Sequence, residues 1–167
     1  AILDTMGVWC WGGERSYYGE ENTSELDREP EHVNDINKAI KIYGMSRSLL
    51  FKNEEGKLYG VGDNRSNELN KSSSQSQFDI PVEIDNVSVE QEIITSGAGH
   101  ACSLYDGLIT CWGSNYYQQI SKKEVGVWHT EVPEVQNAKH VGLGSRHTCA
   151  INGMNEVWCW GSNEHGQ

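Results

Sequence analysis

The strongest constraint on this chain is that it repeats itself. Residues Ala1–Gly12 read AILDTMGVWCWG and align without a gap on Ala150–Gly161, AINGMNEVWCWG. Between them, Ile94–Asn115 (ITSGAGHACSLYDGLITCWGSN) closely follows Val141–Asn163 (VGLGSRHTCAINGMNEVWCWGSN), and Ile42–Asn64 (IYGMSRSLLFKNEEGKLYGVGDN) is a degenerate copy. The equivalent glycines, Gly12, Gly62, Gly113 and Gly161, stand 50, 51 and 48 residues apart. A Gly-x-x-His (Gly97/His100, Gly144/His147) leads into an apolar strand. A tight turn follows, then a second strand ending in Cys-Trp-Gly-Ser-Asn, then a longer variable segment, sometimes with a proline (Pro81, Pro133). Apolar residues fall in short runs separated by Gly, Asn, Asp and Ser, the pattern of many short strands and turns. Only Glu31–Ile42, ending at Gly44, has helical spacing. An all-β repeat of about 50 residues is a propeller-blade signature, and four-stranded blades must stack on their neighbours to bury both faces.

The residues that carry this pattern resemble the regulator of chromosome condensation repeat family. They are Gly97-x-x-His100, Gly144-x-x-His147, the Trp-Gly-Ser-Asn at Trp112–Asn115 and Trp160–Asn163, and Gly166-Gln167. The resemblance covers nearly the whole chain and implies a seven-bladed propeller. The second copy departs most: Arg47 stands where His is expected and Val61 replaces Trp.

Asp106-Gly107 is a two-residue hairpin turn signal. Counting outward from it, Tyr105 faces Leu108, Leu104 faces Ile109, Ser103 faces Thr110 and Cys102 faces Cys111. That last pair falls on a non-hydrogen-bonded position, where side chains approach closely and a disulfide fits. Cys149 and Cys159 keep the same relation across a turn one residue longer. In the second copy Leu49 and Gly60 occupy the two cysteine positions, so the cysteines are lost together, as bonding within each blade requires. The alternatives are free buried cysteines in a cytosolic protein, and zinc, which the absence of Cys-x-x-Cys spacing disfavours. Persistent disulfides imply an oxidising compartment. The family's founding members are nuclear and lack this pairing; the paired copies look more like secreted bacterial members or the crinkly-type repeats of plant receptor ectodomains. Sequons at Asn22, Asn64, Asn70 and Asn86 fit a eukaryotic secretory route.

Cys10 aligns with Cys159, so its expected partner aligns with Cys149, one position before Ala1. Cys10 is therefore expected to be unpaired within this chain. About three and a third repeats are present, whereas a ring of seven needs roughly 350 residues at this period. The expectation is a partial propeller over 1–167, with copies near 1–12, 42–64, 94–115 and 141–163. The remaining blades would come from a longer parent chain or from other copies.

Composition narrows the partners. Net charge is −11, with 13 Lys and Arg against 24 acids. Neutralising phosphates needs clustered cations, so neither nucleic acid nor an anionic membrane is expected, and no run is apolar for the roughly 20 residues a bilayer span requires. No cofactor, metal site or catalytic set is expected. His100 and His147 recur at one phase, which favours a packing role such as an inter-blade hydrogen bond. Trp11, Trp112 and Trp160 recur in phase as blade core, with Trp9 and Trp158 two residues away on the same face. Trp128 lies outside the repeat, in the segment after Tyr116-Tyr117, and these three aromatics form a candidate binding loop for a sugar or a partner's pocket. The acidic stretch 14–31 lacks the order of a calcium loop and reads as solvated. The expected function is a non-catalytic extracellular binding or adhesion scaffold that presents inter-blade loops to a protein or glycan. The alternative is a structural module of an extracellular filament or receptor ectodomain, ahead of an intracellular exchange factor or a propeller enzyme.

Overall fold

The computed structural model describes residues 2–4, 7–11, 31–32, 36, 39–69, 75–84, 87, 93–121 and 129–167. Alternating apolar residues and Gly/Asn turns produce short strands throughout: β1 (Ile2–Asp4), β2 (Gly7–Cys10), β3 (Glu31–His32), β4 (Ala39–Gly44), β5 (Ser48–Asn53), β6 (Leu58–Asp63), β7 (Gln77–Glu83), β8 (Ile93–Ser96), β9 (His100–Tyr105), β10 (Leu108–Gly113), β11 (His129–Glu131), β12 (His140–Leu143), β13 (His147–Ile151) and β14 (Val157–Gly161). They form four antiparallel sheets in the orders β1-β2-β3, β4-β5-β6-β7, β8-β9-β10-β11 and β12-β13-β14, hereafter blades one to four. The helical spacing of 31–42 is not realised in its described residues, where Glu31–His32 and Ala39–Gly44 are strands. Their backbone groups are bonded to β2 and β5 instead, so tertiary pairing overrides the local period.

The blades stack by the two-residue alternation of a strand. Leu50 faces blade three and packs with Ala101 and Trp112. Its neighbours Leu49 and Phe51 face blade one and pack with Val8, Cys10 and Ile36. Likewise Ala101 looks back to blade two, while Cys102 and Leu104 look forward to Val141, Ala150 and Trp160 of blade four. One strand thus serves two cores, the arrangement a solenoid or propeller requires. Pro81 lies in β7, an outer strand, where a missing N–H costs no ladder bond.

The hairpin of blade three has the register expected from its turn, Tyr105–Leu108 through Cys102–Cys111. Asp106 and Gly107 take φ of +46° and +76°, the left-handed pair such a turn demands. In blade two the register corrects the sequence alignment by one residue. Leu50, not Leu49, lies opposite Gly60, and Ser48, not Arg47, lies opposite Gly62 where His100 lies opposite Gly113. The reason is packing. A Cβ on Gly60 would stand 3.1 Å from Cδ2 of Leu50 and 2.7 Å from that of Leu69, so leucine over glycine fills the volume that two cysteines fill in the next blade. In blade one, Ile2 pairs with Trp9, one residue off the register of the last hairpin, where Ile151 pairs with Val157.

Candidate functional site

Blades two, three and four follow their third strand with one loop design. Asn64, Asn115 and Asn163 are each followed four residues later by Glu68, Gln119 and Gln167. The asparagine Oδ1 accepts the backbone N–H of Leu69 at 3.1 Å in blade two and of Ile120 at 3.0 Å in blade three. The later side chain turns back to accept from Ser66 (2.8 Å), Tyr117 (2.8 Å) and His165 (2.9 Å). Between them Asn67, Gln118 and Gly166 take the left-handed conformation. Gln119 and Gln167 also donate to Ser114 and Ser162. In blade two those residues are Glu68 and Asp63, two carboxyls. Burial pushes the Glu68 carboxyl above its ordinary range, and the nearby Asp63 charge adds to it. Burial also pushes Asp63 up, but bidentate hydrogen bonds from Arg65, with the charge of Arg47 beyond, hold it below the ordinary carboxylate range.

The frame repeats; the two residues at its tip do not. They are Arg65-Ser66, Tyr116-Tyr117 and Glu164-His165. Tyr116 is 86 % exposed. Its ring meets that of Tyr117 edge-on, centroids 5.0 Å apart. Arg146, from the β12–β13 turn of the next blade, lies 4.6 Å over the Tyr117 ring. Trp128, the third aromatic of the sequence-based binding loop, lies outside the described residues, as does the acidic stretch 14–30. Arg146 was not singled out from the sequence, since nothing there joins it to Tyr117 across 29 residues.

Of the two recurring histidines, His100 makes the inter-blade hydrogen bond that recurrence led one to expect. Thr148 donates its hydroxyl to the carbonyl of Gln119 at 2.8 Å, so the 3.0 Å contact from His100 Nε2 must be donated by the ring. The chain Gln119 C=O, Thr148 and His100 ties blade four to blade three. Nδ1 of His100 faces no partner, which requires the neutral ring. Burial, together with the charge of neighbouring His147, lowers its pKa to about 4. The Gly-x-x-His spacing has a steric cause. A Cβ on Gly97 would stand 2.6 Å from Cε1 of His100, and one on Gly144 would strike the His147 ring. Blade two has Met45 at the equivalent of Gly97, and there the ring is replaced by Ser48, whose hydroxyl donates to the Met45 sulfur at 3.4 Å.

Trp112 is fully buried and donates Nε1 to the Glu68 carbonyl at 3.1 Å. Trp160 is buried as expected, but its Nε1 has no partner, and the Gln119 carbonyl, equivalent to that of Glu68, accepts from Thr148. Trp11 departs from the expectation of a core residue: it is 45 % exposed, with no blade before it among the described residues to cover it. Trp158 is also exposed, and with Trp160, Ile120, Val132 and Val135 it lines an apolar pocket rimmed by Glu131 and Glu134. Both cysteine pairs are disulfides, Cys102–Cys111 and Cys149–Cys159, each with Cα atoms 4.1 Å apart, and they point to an oxidising environment. Cys10 is buried beside Val8 and Phe51. Of the sequons, Asn22, Asn70 and Asn86 lie outside the described residues. Asn64 is 5 % exposed and its amide donates to the carbonyl of Gln75 at 3.3 Å. Among the described residues no group of three or more His, Cys, Asp or Glu is placed to hold a metal ion, and no helix is long and apolar enough to cross a membrane.

Comparison with known proteins bears on this arrangement. The family model of the regulator of chromosome condensation (RCC1) repeat matches residues 138–167. Over 177 residues the chain is 27 % identical to the human E3 ubiquitin-protein ligase HERC2, covering all of this chain and 4 % of that protein. It is 26 % identical over 179 residues to the ultraviolet-B receptor UVR8 of Arabidopsis thaliana, covering all of this chain and 40 % of the receptor. Yeast RCC1 (Prp20), solved bound to Kap60, superposes with a TM-score of 0.76 at 20 % identity, over 97 % of this chain and 41 % of that one. The chain thus spans less than half the length of each of these relatives. The fold is that of consecutive β-propeller blades, shared with yeast RCC1 and here with paired cysteines, and residues 138–167 match the RCC1 repeat.

Proposed function

We propose that this RCC1-repeat propeller segment is a non-catalytic, extracellular binding scaffold that holds a protein partner on the loops following its third strands. One observation carries the reading: in all three loops the left-handed residue donates to the carbonyl of Asn64, Asn115 or Asn163, and Glu68, Gln119 or Gln167 caps a tip N–H, while the tip residues differ from blade to blade. A rigid frame with variable tips separates stability from recognition. The two disulfides support an oxidising, extracellular setting. The acidic charge of −11 supports a partner other than nucleic acid. The test is affinity capture from extracellular fluid or cell surfaces with the intact chain, against a variant whose three tips are replaced by Gly-Ser. Capture that depends on the tips supports the reading, and identical capture by both forms refutes it.

A second reading, a structural module completed by further blades from a parent chain or other copies, is favoured by β14. In blades two and three the third strand pairs with a fourth (β7, β11), whereas β14 has no described partner on that side. Val157 and Trp158 within it are exposed. Concentration-dependent association in sedimentation, abolished by Trp158→Lys, would support this reading; a monomer at all concentrations would count against it.

A further inference from the structure

We propose that Tyr116, Tyr117 and Arg146 form one recognition platform, shared between blades three and four, for a protein segment that presents a single carboxylate beside an apolar side chain. The proposal rests on the scaffold reading above and assigns one of its tips a partner chemistry.

The platform is held from both sides. Gln119 Oε1 fixes the Tyr117 backbone, Asn115 Oδ1 fixes Ile120 and Ser121, and Gln118 takes the left-handed turn, with φ of +61°, that sets the tyrosine pair at the tip. Arg146 comes from the turn between Gly144 and His147, which is closed by a 2.9 Å backbone bond. The two blades are bolted together directly beneath by the Gln119–Thr148–His100 chain. Exposed side chains held this firmly lose little entropy on binding, which is why tyrosine and arginine dominate the energetic centres of protein interfaces.

The chemistry follows from the stacking. The guanidinium, its Cζ 4.6 Å from the Tyr117 ring centroid, carries its N–H donors as a rigid planar fork. Among the described residues Arg146 makes no ion pair, in contrast to Arg65, whose fork is taken by Asp63. A planar fork of donors matches a carboxylate bidentately. Tyr116, 86 % exposed and edge-on to Tyr117, offers an apolar face alongside. A protein segment is favoured over a glycan because the polar groups that could read sugar hydroxyls are consumed internally. Gln119 uses both amide ends, on Tyr117 and Ser114, and Asn115 bonds Ile120, Ser121 and the Ser121 carbonyl. The net charge of −11 repels polyanions at long range, which selects for one carboxylate rather than a run of them.

The probe is an array of random dodecapeptides, each with one fixed Glu, set beside a matched array in which that Glu is Gln, and both incubated with the 167-residue chain under non-reducing conditions. The expected result is a Glu-dependent set of peptides with an adjacent aliphatic or aromatic residue, whose binding weakens at least tenfold in Arg146→Gln and in Tyr116→Ala. Both positions are exposed, and near-ultraviolet circular dichroism checks that each variant is folded. Equal binding to the Glu and Gln arrays, or unchanged binding in both variants, overturns the platform while leaving the scaffold reading intact. If no peptide binds either array and the capture experiment also fails, both readings fall. A sulfated or uronic-acid glycan bound through Arg146 in place of any peptide would overturn the assignment of a protein partner.

Discussion

Gly97 lies flat against the ring of His100: the Cβ that glycine lacks would stand 2.6 Å from Cε1 and 2.8 Å from Nδ1. Three residues apart in sequence, the two are a single packing unit, and the same holds for Gly144 and His147. A Cβ on Gly144 has only the His147 ring as its nearest neighbours, whereas one on Gly97 also meets the Gly144 carbonyl oxygen at 2.5 Å. Gly144→Ala should therefore destabilise the chain by about 1–3 kcal/mol, and adding His147→Ser, the solution of blade two, should recover most of it. Gly97→Ala should be recovered poorly by His100→Ser, since a backbone oxygen cannot move aside as a ring can. Thermal or urea unfolding of the four variants measures this.

The buried His100 makes stability depend on pH with a definite sign. Its folded pKa, about 4, lies below the ordinary value of 6.5 that the unfolded chain has. Between these values the unfolded state binds the extra proton. The stability is therefore fully present above about pH 6.5, falls as pH drops toward 4, and is level below that. The full loss is roughly 3 kcal/mol. His100→Gln, which can still donate to Thr148, should flatten the curve in this window, as followed by urea midpoints at pH 4.5 and 7.

Glu68 stands where blades three and four have glutamine, and its burial near Asp63 raises its pKa. A raised folded pKa in an acid means stability that is fully present below the unfolded value and is lost as pH rises through the folded one. Glu68→Gln should remove this dependence and stabilise the chain at pH 7 by roughly 1 kcal/mol, since the amide can donate to Asp63 as Gln119 donates to Ser114. A fall in melting temperature would show that the charge is needed, through Arg65 or otherwise.

If the chain is N-glycosylated, the sugar should be found at Asn22, Asn70 or Asn86 and not at Asn64. The Asn64 amide is buried and donates to Gln75, and its oxygen caps Leu69. Glycopeptide mapping after expression in a eukaryotic secretory system decides it; full occupancy of Asn64 would mean that its loop opens in solution.

Much of this was legible in the sequence because of phase. The Asp-Gly turn fixed one hairpin, counting outward from it paired Cys102 with Cys111, and recurrence assigned the histidines to packing. The one-residue slip in blade two arose because that copy has lost both anchors at once. With Ser48 for the histidine and Met45 for the glycine, the sequence offers a neighbouring Gly44 and Arg47 that mimic the spacing, and only the volume match of Leu50 over Gly60 fixes the register. The helical period in 31–42 is not realised in its described residues, because strand pairing to β2 and β5 outweighs it. Trp11 shares its phase with Trp112, but phase does not supply the neighbouring blade that buries the side chain. The platform of Tyr117 and Arg146 joins two loops, and a repeat reveals positions that recur rather than tips that differ.

The hairpins of blades three and four are each welded by their own disulfide, and peptide mapping of the unreduced protein from its native source tests that directly. Cys102 should be recovered joined to Cys111 and Cys149 joined to Cys159, each worth roughly 2–3 kcal/mol by chain entropy. Under graded reductant Cys149–Cys159 should open first, because Cys159 is exposed while Cys102 and Cys111 are fully buried. Free thiols throughout, or Cys102 joined to Cys149, would contradict the pairing, the compartment and the extracellular reading together.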